Sequence, residues 1–166
     1  MNVVLIGYRG AGKSTVAKIV GSRLGRTVVS TDAEVVRMAG QGIPEIVAQH
    51  GWDYFRDLES QVCRELAGRD GLVIDAGGGA ILRVQNAEVL KKNGTFFWLT
   101  ASVDTITKRI GRDTQRPSLT GTQSFVDEIR DVLRERTPKY QAVADHVIAT
   151  DERSIVQIAD EILARL

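Results

Sequence analysis

Gly7-Tyr8-Arg9-Gly10-Ala11-Gly12-Lys13-Ser14 is the stretch whose reading decides the fold. It fits the phosphate-loop pattern G-x-x-x-x-G-K-[ST]. Asn2-Val3-Val4-Leu5-Ile6, just before it, is a short apolar run that reads as a buried strand. Thr15 to Leu24, just after it, reads as a helix, with Val16, Ile19, Val20 and Leu24 at helical spacing. The glycines let backbone N–H groups turn inward to phosphate oxygens, and the helix dipole favours the negative charge. Lys13 can then bridge β- and γ-phosphates, and the Ser14 hydroxyl can meet Mg²⁺. A plain glycine turn is the alternative, but all four fixed positions are present between a strand and a helix.

Working outward, short apolar runs alternate with helical patterns. Thr27-Val28-Val29 reads as a second strand ending at Ser30-Thr31-Asp32, with a helix from about Ala33 to Ala39. A short helix runs from Ile43 to about His50, with Pro44 suited to its first turn. Trp52 to Ala67 is a longer amphipathic helix with Phe55, Leu58, Val62 and Leu66 on one face. Leu72-Val73-Ile74 is a third strand and runs into Gly77-Gly78-Gly79. Val84 to Lys92 is helical, Thr95 to Leu99 a fourth strand and Ser102 to Ile110 a helix. Residues Gly111 to Gly121 are polar and contain Pro117, so they read as a loop. Ser124 to about Ala144 reads as a long helix with Pro138 as a kink or interruption. His146-Val147-Ile148 is a fifth strand, and Arg153 to Leu166 a last amphipathic helix.

This alternation predicts one α/β domain over 1–166, a three-layer α/β/α with a parallel sheet and helices on both faces. The bulk numbers agree. The chain has 166 residues, 43% of them hydrophobic and 26% charged, which suits one soluble globular domain. A formal net charge of +1 gives no field for nucleic acid or anionic membrane. The single cysteine, Cys63, excludes an internal disulfide and reads as a buried structural thiol. No apolar run nears the roughly 18 residues of a membrane span, and the chain starts directly on a strand without a leader pattern. The expectation is a cytoplasmic protein and a monomer.

Ligands of such sheets sit at the carboxyl ends of the strands. Strand one brings the P-loop there, strand two Asp32, and strand three Asp75 and the triple glycine. Arg56 and Glu59 share a helix face. They form either an exposed surface pair or an arginine held by its neighbour to clamp a carboxylate. Arg116-Pro117 lies between Gly111 and Gly121, in a polar loop that resembles a lid. Taken alone, Arg136 is one more surface arginine.

Across nearly the whole chain this set resembles the shikimate kinases. The matching pieces are Gly7 to Ser14, Thr31-Asp32, Phe55-Arg56 with Glu59, Gly77-Gly78-Gly79, Arg109, Arg116-Pro117, and Arg136-Thr137-Pro138-Lys139-Tyr140. The resemblance implies the nucleoside monophosphate kinase fold with strand order 2-3-1-4-5. It implies ATP-dependent phosphorylation of the 3-hydroxyl of shikimate, with Mg²⁺. Arg56 and Arg136 would bind the carboxylate and Asp32 the ring hydroxyls, with Gly77, Gly78 and Gly79 in the same pocket, on a substrate-binding helical segment over about 32–62. Gly10, Ala11, Gly12, Lys13, Ser14, Thr15, Arg109, Arg116 and Arg153 would serve the nucleotide. Lys13, Asp32 and Arg116 would be catalytic. A kinase of another hydroxy acid, such as gluconate, and a nucleotide switch without catalysis are the competing readings.

One position departs from the family pattern. The family has Asp-x-Asp after strand two, its first aspartate supporting Mg²⁺ through water, and here that position is Ser30. A neutral hydroxyl does not replace a carboxylate beside a hard dication, so either metal binding is weaker, or another acid has taken the role, or the substrate differs. Asp75, at the end of strand three, is the candidate to take over metal support. Its other reading is a cap on the glycine turn.

Overall fold

A computed structural model describes residues 1–111 and 124–166. Strand β1 (Asn2–Ile6) is buried at every position, as a central strand covered on both faces must be. Beside it run β3 (Leu72–Asp75) and β4 (Gly94–Thr100), both parallel to it. Strand β2 (Thr27–Ser30) adds outside β3, and β5 (His146–Ala149) outside β4. The order is β2-β3-β1-β4-β5, as the resemblance implied.

Alternate residues of the strands feed two cores. On one face Val3, Leu5 and Val73 pack beneath α1 (Lys13–Leu24) and α8 (Ile155–Ala164). On the other, Val4, Ile6 and Ile74 meet α2 (Thr31–Ala39), α3 (Ile43–His50), α4 (Trp52–Ala67) and α5 (Val84–Lys91). A smaller cluster joins Tyr8 to α6 (Val103–Ile110) and α7 (Phe125–Val143). Cys63 is buried in the second of these cores, and burial pushes its thiol up to about 12, which keeps it protonated and inert.

Two local expectations change. Helix α2 starts directly at Thr31, so Asp32 sits in a helical first turn, where its charge favours the dipole. Helix α7 continues through Pro138 without the expected interruption. Its buried face, with Ile129, Val132, Arg136 and Tyr140, supplies packing that outweighs the one backbone donor proline lacks. The expected lid over Gly111 to Gly121, with Arg116, lies outside the described residues except for Gly111.

Buried Asn2 ties the start of the sheet together. Its side-chain oxygen accepts from Leu72 N at 2.8 Å, and its amide donates to Arg69 O at 2.9 Å. Asn2→Ala leaves a buried backbone donor unsatisfied, which costs roughly 1–3 kcal/mol. Thermal unfolding is expected to fall by roughly 2–4 °C per kcal/mol for a domain of this size. An unchanged melting temperature contradicts the bridging role.

Candidate active site

The P-loop leaves β1 at Gly7, whose φ of 141° suits glycine alone, and a Cβ there would lie 2.5 Å from Leu99 O. Gly12 caps α1 in the left-handed region with no side-chain cap, so the helix's first N–H groups face the cavity. Lys13 is nearly buried and donates from Nζ to Gly7 O at 2.8 Å and Tyr8 O at 3.1 Å. It thus lies folded over the loop it belongs to. A cavity of about 460 Å³ opens in front, bordered by Gly12, Lys13, Ser14, Asp32, Asp75 and Gly77 among others. P-loop, Asp32 and the glycine run therefore share one space.

The triple glycine is a contact surface for charged groups. A Cβ on Gly77 would lie 2.5 Å from Asp32 Oδ1 and 3.3 Å from Glu59 Oε2. One on Gly78 would meet Arg136 Nη1 at 3.3 Å, and one on Gly79 would lie 2.2 Å from Arg56 Nη1. These approaches are possible only against bare backbone. Two residues that sequence reasoning gave no role hold the run in place. Thr31 Oγ1 accepts from Gly77 N at 2.7 Å, and Tyr140 donates to Gly78 O at 2.5 Å. Burial pushes the Tyr140 hydroxyl up to about 12 against the pull of Arg136 and Arg56, so it stays a donor. Its position one helical turn after Arg136 was the available signal.

Arg56 and Glu59 are not an exposed pair. Arg56 Nη1 donates to Glu59 Oε1 at 2.9 Å, with side chains 12% and 0% exposed. The guanidinium also lies 5.4 Å from the Trp52 ring and 5.2 Å from the Phe55 ring. Arg136, read alone as a surface residue, is buried and lies 5.8 Å from the Tyr8 ring. Burial fixes both cations and strips them of most water, which strengthens their pull on an anion.

On the opposite flank, Arg109 donates to Gly10 O at 3.1 Å and to Thr150 Oγ1 at 3.2 Å, at the outer edge of the P-loop. Arg153 is engaged with Ala149 O at 3.1 Å and Glu161 Oε2 at 2.6 Å, joining the end of β5 to α8. Thr15 is exposed beside Ser14. Ser30 accepts from Ala33 N at 3.2 Å and caps α2.

Comparison with known proteins agrees with this geometry. A family model described as shikimate kinase matches residues 9–166. The shikimate kinase of Nitratidesulfovibrio vulgaris (strain Hildenborough) is 42% identical over 99% of this chain and 94% of its own length. A solved structure of shikimate kinase from Acinetobacter baumannii, in complex with shikimate, superposes with a TM-score of 0.93 at 37% identity, covering 99% of this chain and 91% of that one. A gluconokinase from Sinorhizobium meliloti 1021, 18% identical with a TM-score of 0.65 and covering 98% of this chain and 89% of that one, shares the fold alone. With a match over nearly its whole length and a glycine run faced by buried Arg136, largely buried Arg56 and an aspartate, the chain belongs to the shikimate kinase family.

Proposed function

We propose that the chain transfers the γ-phosphoryl group of ATP to the 3-hydroxyl of shikimate, with the residues named here in the following roles. The observation that carries the assignment is the glycine run, with Arg136 against Gly78, Arg56 against Gly79 and Asp32 against Gly77, beside the P-loop. Shikimate has one carboxylate and several hydroxyls. Two guanidinium groups suit the first and one carboxylate suits a pair of the second.

Phosphoryl transfer requires positioning and charge neutralisation more than covalent help from the protein. The N–H groups of Gly10, Ala11, Gly12, Ser14 and Thr15 cradle the phosphates, and Lys13 exchanges its loop carbonyls for phosphate oxygens when ATP arrives. Asp32 orients the acceptor hydroxyl and takes its proton as the new P–O bond forms. Arg109 and Arg153 would serve the nucleotide, Arg109 on its adenine side, and Arg116 in the expected lid over 111–121 would reach the phosphates. Ser14 would offer its hydroxyl to Mg²⁺, and the ion would supply positive charge to offset that of the phosphates. The substrate side is the helical segment over about 32–62, the working unit is a monomer, and its compartment is the cytoplasm.

A coupled assay of ADP release over shikimate, gluconate and nucleoside monophosphates tests the substrate. Turnover on shikimate, with little on the others, is expected, and comparable turnover on gluconate defeats the assignment.

Arg56→Ala is expected to raise the shikimate KM roughly ten- to a hundredfold, since a charge-assisted bond is worth on the order of 1.5–3 kcal/mol. The KM for ATP should hold. Gly79→Ala should act the same way by a different route, because its Cβ would occupy the place of the Arg56 guanidinium, 2.2 Å from Nη1. An unchanged shikimate KM in both variants removes Arg56 from the substrate site.

A further inference from the structure

We infer that Asp75 supplies, from the end of β3, the carboxylate that position 30 lacks, and positions Ser14 toward the nucleotide's divalent cation. This rests on the ATP-dependent reading above. Ser14 donates from Oγ to Asp75 Oδ2 at 2.5 Å, so the hydroxyl proton points at the carboxylate. The oxygen's lone pairs are then left for an electrophile in the cavity that both residues border. A full negative charge behind the hydroxyl makes it a better donor to a hard cation.

Ser30 and Asp75 are register partners on the neighbouring parallel strands β2 and β3. Side chains at partnered positions leave a sheet on the same side, about 4.8 Å apart. Val73, two residues earlier, points at α1, so Asp75 does too, and Ser14 is on α1. Asp75 and Ser30 thus lie on adjacent strands on the same face of the sheet. Ser30 meanwhile serves as the cap of α2.

The two backbone N–H groups that follow Asp75 bond to groups other than its carboxylate, Ala76 N to Leu5 O at 3.0 Å and Gly77 N to Thr31 Oγ1 at 2.7 Å. The donor set also fits the metal. Mg²⁺ keeps several waters and takes one or two protein oxygens plus phosphates. Among the described residues no three His, Cys, Asp or Glu side chains gather as a metal site, so phosphate and water oxygens would complete the shell.

The test uses Mn²⁺ as a paramagnetic probe, titrated against the enzyme–ADP complex and followed by electron spin resonance, with no turnover involved. Asp75→Asn, which keeps the shape of the side chain, should weaken Mn²⁺ affinity by roughly ten- to a hundredfold. ADP affinity without metal should hold or tighten, since a negative charge near the phosphates is gone. Moving the carboxylate back, in the double variant Ser30→Asp with Asp75→Asn, should recover most of the Mn²⁺ affinity. Aspartate at position 30 keeps the α2 cap, so the recovery reports the charge. Unchanged Mn²⁺ affinity in Asp75→Asn overturns the inference, as does a double variant no better than the single one. Shikimate-dependent ADP release by the unaltered enzyme is measured alongside. Its failure counts against the substrate reading and leaves the Mn²⁺ result to decide the role of Asp75.

Discussion

Everything at the site depends on the close approach of charged side chains to a backbone that carries no Cβ. Gly78 touches the P-loop on one side, where a Cβ would lie 3.4 Å from Arg9 N and 3.6 Å from Gly7 O. Its other contact is Arg136, and its neighbours hold Asp32 and Arg56. The run thus fits between the P-loop and Arg136 with only a backbone's thickness, and any side chain there would push against the loop or a guanidinium. The cost of three glycines in conformational entropy is offset by the bonds from Tyr140 and to Thr31 that fix the run.

The same arrangement explains how cations can be buried beside the glycine run. A buried guanidinium needs partners, or desolvation outweighs its attraction for anything. Arg56 has Glu59 on one edge and the aromatic faces of Trp52 and Phe55 around it. Arg136 has the Tyr8 ring. Both are held in place by contacts within the chain itself. Helices α4 and α7 carry these groups, and their apolar faces pack into the cores beneath the sheet.

A parallel sheet makes such convergence cheap to build. The carboxyl ends of β1, β2 and β3 lie side by side, and each delivers its next residues to one rim. That is how the P-loop, Asp32 and Asp75 come to share a cavity although they are far apart along the chain. It also sets Ser30 and Asp75 side by side as register partners on neighbouring strands.

The sequence by itself determined the alternating α/β architecture, the phosphate loop and the positions of all five strands, because each is a local signal. A strand's apolar run, a helix's period and a loop's glycines are set within a few residues of one another. The family resemblance added the strand order and the site residues as expectations. Only the tertiary structure decided what the single residues meet. It buried the Arg56–Glu59 pair that could equally have been a surface pair, and it buried Arg136, which carried no local signal. It carried α7 through Pro138, where packing outweighed a local rule. It set Asp75 against Ser14 and beside Ser30, which follows from β3 lying between β1 and β2. Periodicity reads the faces of one element, whereas the contacts between elements depend on which strand lies next to which.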